Sequence, residues 1–361
     1  MNTIYCRGYV KHSYPIHLSV QAEFDDFFDL LPPSQNCFVV VDEKLLELFP
    51  KLVLRLKQSQ ARIIPIACTE QNKSLDGLTM IFEEVFSHKP NRDDILIAIG
   101  GGLITNLGGL AASLIMRGMR FYYVPTTLTG QIDASIGSKQ AINYSGAKNW
   151  LGMYNDPEFC YVNPNFLTTK PIDELNSEMI EGVKLCLATD KQLFYRVLDE
   201  INGFRERDPQ SLASFVEKMI KAKVAVVERD LLEEDYGMSM LYGHTLGHAI
   251  EMLDHEHLSH GEAVGLGMLA AARMACKLGL AKESLITLHQ QILQKLGLPA
   301  VIPGHLVPSE IYAKLGHNKK NYGGKVRFVL LRDVGEMAKN GGEYYTVVPE
   351  NIIMQSIKEG F

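Results

Sequence analysis

Residues 95–102 read ILIAIGGG, and this stretch decides the fold of the first half of the chain. Ile95–Ile99 is short, apolar and rich in β-branched side chains, the signature of a strand buried on both faces. It runs directly into Gly100-Gly101-Gly102, with a helix expected a few residues later. A glycine-rich turn between strand and helix lets backbone N–H groups approach a pyrophosphate, and the helix N-terminus adds partial positive charge. The spacing is not the G-x-G-x-x-G fingerprint, because Thr105 stands where the third Gly would be. Taken alone, the turn serves a tight chain reversal as well as it serves a nucleotide. Gly108-Gly109 follow inside the expected helix, where each Gly costs about 1 kcal/mol, and close backbone packing would account for them.

Outward from this turn, Cys37–Asp42, Ala61–Ala67 and Arg120–Val124 read as further buried strands, with helical stretches at Leu75–Ser87 and Leu107–Arg117. Such alternation predicts a parallel sheet with helices on both faces. The second half reads as mostly helical, over Ile172–Ala188, Leu212–Glu228, Met240–Leu253, Gly261–Leu278 and Lys282–Lys295. Apolar residues there recur at intervals of three and four, as in Phe215, Met219, Ala222 and Val226. A short strand pair is expected near Lys325–Leu331 and Glu343–Val348. The expectation is therefore a Rossmann-like α/β N-terminal domain over residues 1–169 and a mostly α-helical C-terminal domain over residues 170–361.

Composition narrows the function classes. The chain has 361 residues, enough for two ordinary cores, and a formal net charge of −6 that gives no basic surplus for nucleic acid. A local cluster of Lys and Arg could still bind an anionic substrate. The six cysteines are scattered without a C-x-x-C pair, which argues against a disulfide framework and for a reduced, cytoplasmic setting. Met1–Tyr9 lacks the pattern of a signal peptide, and the apolar run Ala263–Ala272 is too short to span a bilayer.

His244 and His248 stand four apart in Gly-His-Thr-Leu-Gly-His, on one face if the segment is helical, and His260 follows at an expected helix start. Three imidazoles within 17 residues can contribute to a divalent metal site. Thr245 replaces the Glu of H-E-x-x-H, so a metalloprotease reading fails. His255 and His257 read as surface loop residues.

With these pieces located, the chain resembles the 3-dehydroquinate synthase family, the sugar-phosphate cyclases. The resemblance rests on Glu70-x-x-Lys73-Ser-Leu, Gly100-Gly-Gly, Arg117-Gly, Val124-Pro-Thr-Thr, Asp133, Lys139, Lys148-Asn149 and Glu181-x-x-Lys184. Lys223, Gly243-His-Thr-x-Gly-His248, His260-Gly-Glu-Ala and Lys319 complete it. The resemblance implies a divalent zinc or cobalt ion held by Glu181, His244 and His260, with His248 nearby for substrate or proton transfer. It implies NAD at Asp42, Glu70, Lys73, Gly101, Gly102, Asn106, Thr126, Thr127, Asp133, Lys148, Phe166 and Thr169. It assigns the substrate and its phosphate to Arg117, Lys139, Asn149, Lys184, Lys223 and Lys319. It also implies a homodimer, with Arg117 at the neighbour's site. The implied reaction is redox-neutral: transient oxidation of a ring hydroxyl, elimination of phosphate, return of the hydride, ring opening and an intramolecular aldol closure.

The chain departs from the dehydroquinate synthase pattern at Asn106 (Asp in that enzyme) and Gln140 (Thr). It departs most before His244, where G-x-R-x-x-L-N-x-G-H becomes Gly237 at the Arg and Leu241 at the Asn position. A carboxylate site without its Arg lacks a bidentate, charge-assisted partner. Asn106, the segment Ser138–Asn143, Gly237, Tyr242-Gly-His and Asn318-Lys319 are instead similar to 2-deoxy-scyllo-inosose synthases, which act on glucose 6-phosphate; those carry Glu where this chain has Leu241. Leu110–Leu114 and Ala147-Lys-Asn are similar to cyclases of sedoheptulose 7-phosphate. The expectation is a sugar phosphate without a carboxylate, glucose 6-phosphate first, with dehydroquinate synthesis and sedoheptulose 7-phosphate as alternatives. The rival classes are a metal-dependent alcohol dehydrogenase, against which the lysine set argues, and a nucleotide-binding relative without turnover.

Overall fold

The computed structural model describes residues 1–21, 24–34, 36–254, 256–315 and 326–361. Two compact units emerge. The first comprises Met1–Lys170 and Arg207–Leu231; the second comprises Pro171–Glu206 and Leu232–Phe361.

The first unit is organised by β1 (Asn2–Arg7), β2 (Ser13–Leu18), β3 (Cys37–Asp42), β4 (Arg62–Ile66), β5 (Ile95–Gly100), β6 (Arg120–Pro125), the hairpin β7 (Lys139–Tyr144) and β8 (Ala147–Tyr154), and β9 (Cys160–Val162). Seven strands form one sheet in the order β1-β2-β9-β6-β5-β3-β4. Only β1 and β2 pair antiparallel within it. β5 is buried at every residue, as its unbroken apolar run requires, and pairs with β3 from Cys37↔Ile95 and with β6 from Ile95↔Arg120. From β3 the chain moves outward to β4, and from β5 it moves the other way to β6. The switch point therefore lies between the C-terminal ends of β3 and β5, where open α/β sheets bind ligands. Val39, Val41, Ile97, Ile99, Phe27, Tyr161 and Phe166 form the core on one face.

The helix after β5 spans Gly102–Leu114 and begins at the glycine run itself, with Gly101 as its cap, earlier than the sequence pattern indicates. Gly108 and Gly109 are explained by contact. A Cβ on Gly108 would stand 2.7 Å from the Ala98 Cβ, and one on Gly109 would stand 2.0 Å from the Tyr123 hydroxyl. The helix thus lies against β5 and β6 closer than any side chain permits.

One helix of the C-terminal half belongs to the first unit. Pro209–Arg229 buries Leu212, Phe215, Val216 and Met219 along one face, and Arg7 Nη1 donates to the Glu228 carbonyl at 3.1 Å. The division of the chain is thus not the linear split at residue 169: residues 207–231 return to the first unit. An amphipathic stripe shows that a helix has a buried face, and it is silent about which core covers that face.

The second unit is built from helices Ile172–Thr189, Lys191–Arg205, His244–Asp254, His260–Lys277, Ser284–Leu296, Pro308–Leu315 and Glu350–Lys358. The expected strand pair is present among the described residues as Arg327–Val329 against Tyr345–Val347, antiparallel. The segment expected to be helical from Met240 is a 3₁₀ turn over Tyr236–Leu241, and the α-helix starts at His244. Gly243 separates the two at φ +79°, a conformation that favours glycine.

Glycine lets these helices touch. A Cβ on Gly267 would lie 2.0 Å from the Gly243 carbonyl oxygen, and one on Gly261 2.0 Å from the Ser177 carbonyl oxygen. Ser259 then starts the helix His260–Lys277 with a capping box to Glu262. Beneath the 242–244 turn, the His289 Nδ1–H donates to the Leu285 carbonyl (2.7 Å), which leaves Nε2 to accept from the Tyr242 hydroxyl (2.9 Å). Burial pushes the His289 imidazole down to about 4. No described helix is long and apolar enough to cross a membrane.

Two measurements check this packing. Gly267→Ala gains helix propensity, yet its methyl has no space. The variant should lose about 1–3 kcal/mol, read as a lower urea midpoint; an unchanged midpoint would mean the helices have room. His289 is neutral when folded and takes up a proton near pH 6.5 when unfolded. Its contribution is whole above that pH and fades as pH falls toward 4, on the order of 3 kcal/mol over the window. His289→Gln should flatten the fall of Tm between pH 6.5 and 4, whereas a profile parallel to the parent's would show that this imidazole is not the acid-sensitive group.

Candidate active site

In the second unit, four side chains converge from three helices. Glu181 lies on Ile172–Thr189 and is buried; His244 and His248 lie on His244–Asp254; His260 opens the next helix. His244 Nε2 stands 3.8 Å and His260 Nε2 3.5 Å from Glu181 Oε1. The rings of His244 and His248 are 5.0 Å apart, those of His244 and His260 5.5 Å, and those of His248 and His260 5.7 Å. One ligand atom from each of these three imidazoles falls within 4.8 Å of the others.

The outer faces of the rings are tethered. His260 Nδ1 is 3.2 Å from Glu251 Oε2, and His244 Nδ1 is 3.3 Å from the Tyr242 carbonyl. A carboxylate or carbonyl on the far ring nitrogen is how proteins orient imidazole toward a metal. Glu181 Oε2 accepts from the Lys184 ammonium, one turn along the same helix, while Glu181 Oε1 is buried with no hydrogen-bond donor. An orphaned carboxylate oxygen facing two imidazole nitrogens fits a divalent cation with mixed N/O ligation.

The electrostatics agree with a shared carboxylate. Burial pushes the Glu181 carboxyl up, but Lys184, His244 and His260 outweigh it and hold the group well below the usual range. Burial and the Lys184 charge drive the His244 imidazole well below its ordinary value. Burial also pulls on His260, but the Glu181 and Glu251 carboxylates beside its two ring nitrogens prevail and raise it to about 9.

In the first unit, Asp42, Gly100–Gly102, Thr126 and Thr127 gather at the C-terminal ends of β3, β5 and β6. A Cβ on Gly101 would lie 2.8 Å from Thr127 Cγ2 and one on Gly102 2.9 Å from the Ala134 Cβ, so the turn packs too closely on its neighbours for a side chain. Asn106 Nδ2 donates to the Gly102 carbonyl (2.8 Å) and Asn106 Oδ1 accepts from the Ala141 N–H (3.1 Å), which binds the glycine turn to β7.

A second polar group forms beside the β7–β8 hairpin. Lys73 Nζ donates to Asn149 Oδ1 (2.6 Å), and Asn143 Nδ2 donates to Glu70 Oε2 (2.6 Å). Asn149, at φ 55°, donates its N–H to Asn143 Oδ1 (3.1 Å), so Asn143 links Glu70 to Asn149. Burial lowers the Lys73 ammonium despite Glu70 nearby. Lys139 opens β7, Lys148 is exposed on β8, and Asp133 pairs with Lys223.

The remaining expected positions differ in burial and location. Phe166 is buried, stacked on Phe24 at 4.9 Å, so its ring is a core residue and presents no face to a nucleotide. Thr169 is exposed, its hydroxyl donating to the Phe166 carbonyl (3.2 Å). Arg117 lies in the 3₁₀ turn at the far end of the glycine helix, about 20 Å along its axis from Gly102. Within its own unit it does not join the glycine-turn group. Lys319 and His255 lie outside the described residues. Sequence reasoning missed Glu251 and Asn143. Glu251 had a signal, since His244, His248 and Glu251 at i, i+4 and i+7 share one helical face. Asn143 had none, because its role depends on the hairpin register.

Comparison with known proteins follows the same outline. The family model for the 3-dehydroquinate synthase N-terminal region matches residues 63–177, and that for its C-terminal region matches residues 178–321. The chain is 33% identical over 335 residues to a 3-dehydroquinate synthase of Crocosphaera subtropica, covering 90% of each. It is 32% identical over 311 residues to a 2-deoxy-scyllo-inosose synthase of Niallia circulans, covering 84% of each. A solved 2-deoxy-scyllo-inosose synthase in complex with carbaglucose-6-phosphate, NAD+ and Co2+ superposes with a TM-score of 0.90 at 27% identity, covering 100% of both chains. With both family models matched in order over residues 63–321 and relatives above 30% identity along most of its length, the chain belongs to the 3-dehydroquinate synthase family and is an enzyme of its sugar-phosphate cyclases.

Proposed function

We propose that this chain is an NAD- and metal-dependent cyclase of a sugar phosphate without a carboxylate, converting glucose 6-phosphate to 2-deoxy-scyllo-inosose. The observation that carries the choice of substrate is the turn Tyr236–Leu241. Gly237 and Leu241 stand there in place of the Arg and Asn of dehydroquinate synthases, and Gly237 is buried. A seven-carbon acid would lose its bidentate partner at this place. The likeness to the synthase solved with carbaglucose-6-phosphate supports the same reading. Identity of 31–33% to several 3-dehydroquinate synthases favours the acid as the second reading.

NAD, when bound, supplies the transient oxidation and the returning hydride, and the cation draws electron density from the oxidised oxygen. The residues supply the rest. Glu181, His244 and His260 would hold the cation. Lys184 neutralises the second oxygen of Glu181, and Glu251 orients His260. His248 is the proposed proton carrier. In the first unit, the backbone N–H groups of Gly101 and Gly102 would meet the pyrophosphate, with Asp42, Glu70, Lys73, Asn106, Thr126, Thr127, Asp133, Lys148 and Thr169 around the nucleotide. Lys139, Asn149 and Lys223 are proposed phosphate and substrate ligands, as are Lys184 and Lys319. Arg117 would serve a neighbouring copy.

The test measures phosphate release with catalytic NAD and a divalent metal from glucose 6-phosphate, sedoheptulose 7-phosphate and the seven-carbon acid phosphate in parallel. Release from glucose 6-phosphate without accumulating NADH is the expected result. Release from the acid alone would move the protein to dehydroquinate synthesis, and NADH accumulation with a simple alcohol would overturn the cyclase reading. Glu251→Gln should lower metal affinity or phosphate release about 10- to 100-fold, while His260→Ala should remove the tightly held ion. Unchanged metal content in His260→Ala would refute the ligand assignment.

A further inference from the structure

A second cluster of metal-binding side chains lies in the second unit, apart from the Glu181 group. Asp254 is the last residue of helix His244–Asp254, and its side chain is 3% exposed. His257 Nδ1 stands 2.7 Å from Asp254 Oδ1, and His305 Nε2 stands 3.2 Å from Asp254 Oδ2. The two imidazoles are 5.8 Å apart at 66° and converge on one carboxylate. One ligand atom from each of the three residues lies within 4.8 Å of the other two.

The carboxylate is the telling part. Oδ1 is engaged by His257; Oδ2 is buried and faces His305 Nε2 at 3.2 Å, outside good hydrogen-bond alignment. A buried carboxylate oxygen with only a poorly aligned donor is costly unless something else satisfies it. A cation would do so. In a tetrahedral zinc shell with Zn–N near 2.0 Å, ligand atoms are about 3.3 Å apart, close to the 3.2 Å His305–Asp254 separation, while the 2.7 Å His257 contact would open on loading. Both histidines are mostly exposed, 71% and 58%, so their rings can turn onto an ion without disturbing the core.

We propose that Asp254, His257 and His305 form a second divalent metal site, of the zinc or cobalt class. Two imidazoles and one carboxylate disfavour magnesium and calcium, which take oxygen shells. Three protein ligands leave a fourth position for water. The site ties together three pieces of chain. Asp254 ends the helix that carries His244 and His248, His257 sits in the turn before His260, and His305 lies in the turn before helix Pro308–Leu315. The Leu258 N–H donates to the Asp254 carbonyl at 2.9 Å, so the backbone at Asp254 is tied to the segment that leads to His260 before any ion arrives. The ion braces the link between the two helices of the Glu181 group; it is not part of that group.

The experiment is zinc titration of chelator-treated full-length protein, with bound metal counted by elemental analysis after gel filtration. The parent should hold two zinc ions per chain, and His257→Ala and His305→Ala should each hold one. Both substitutions are at the surface, so folding is preserved. Cobalt loaded into His260→Ala should give the visible absorption of a tetrahedral N/O site, and His305→Ala should abolish it in that background. Equal zinc content in the parent and in both surface variants overturns the proposal, whatever the parent's total. The count in the surface variants does not depend on which residues hold the ion near Glu181, so failure here is separable from failure of the proposed function.

Discussion

The second unit depends on helices that meet without side chains between them. Gly267 lies against Gly243, Gly247 against Ala263 and Val264, and Gly261 against Ser177. Each glycine sacrifices helix propensity, and the return is backbone contact that no other residue permits. That contact sets the distances among Glu181, His244 and His260, because each ligand is within four residues of a touching glycine or its partner. Widening these helix contacts by one methyl would exceed the few tenths of an ångström over which metal coordination is tolerant. The first unit uses the same device at Gly108 and Gly109, where the helix lies flush on β5 and β6 and so aims its N-terminus at the switch point.

Burial of charge follows from this closeness. Glu181 and Lys184 are both about 3% exposed, and the pair stands on one turn of one helix. Removing either partner would strand a buried charge, a loss of about 3–5 kcal/mol, so the pair constrains the site as firmly as the glycines do. The lysine occupies one carboxylate oxygen and leaves the other facing the imidazoles. Acid–base character therefore divides: His244, more deeply buried and beside the ammonium, is pressed toward neutrality, while His260, between two carboxylates, is pressed toward charge.

Much of the architecture was legible because local periodicity reports on burial. The run 95–102 showed a two-sided strand and its glycine turn, and Gly108-Gly109 showed that something had to come close. The strands β1 and β2, the hairpin β7–β8 and helix Lys191–Arg205 were not read, since half-exposed segments carry weaker patterns. Leu212–Glu228 was read as a helix and placed with the wrong core, because amphipathicity names a face and not its partner.

By itself the sequence determined the fold class, the family and the chemical type of the site. Order and residue identity suffice for those: three histidines, one Glu-x-x-Lys and a glycine turn in the right succession. Only the tertiary structure decided which atoms meet. It showed Glu181 Oε1 without a donor, Glu251 behind His260, Asn143 between Glu70 and Asn149, Phe166 in the core and Arg117 away from the glycine turn. It also brought His305 to Asp254, a pair separated by 51 residues. The physical reason is that helical spacing relates residues within about two turns, whereas contact between helices is set by packing that no local pattern encodes.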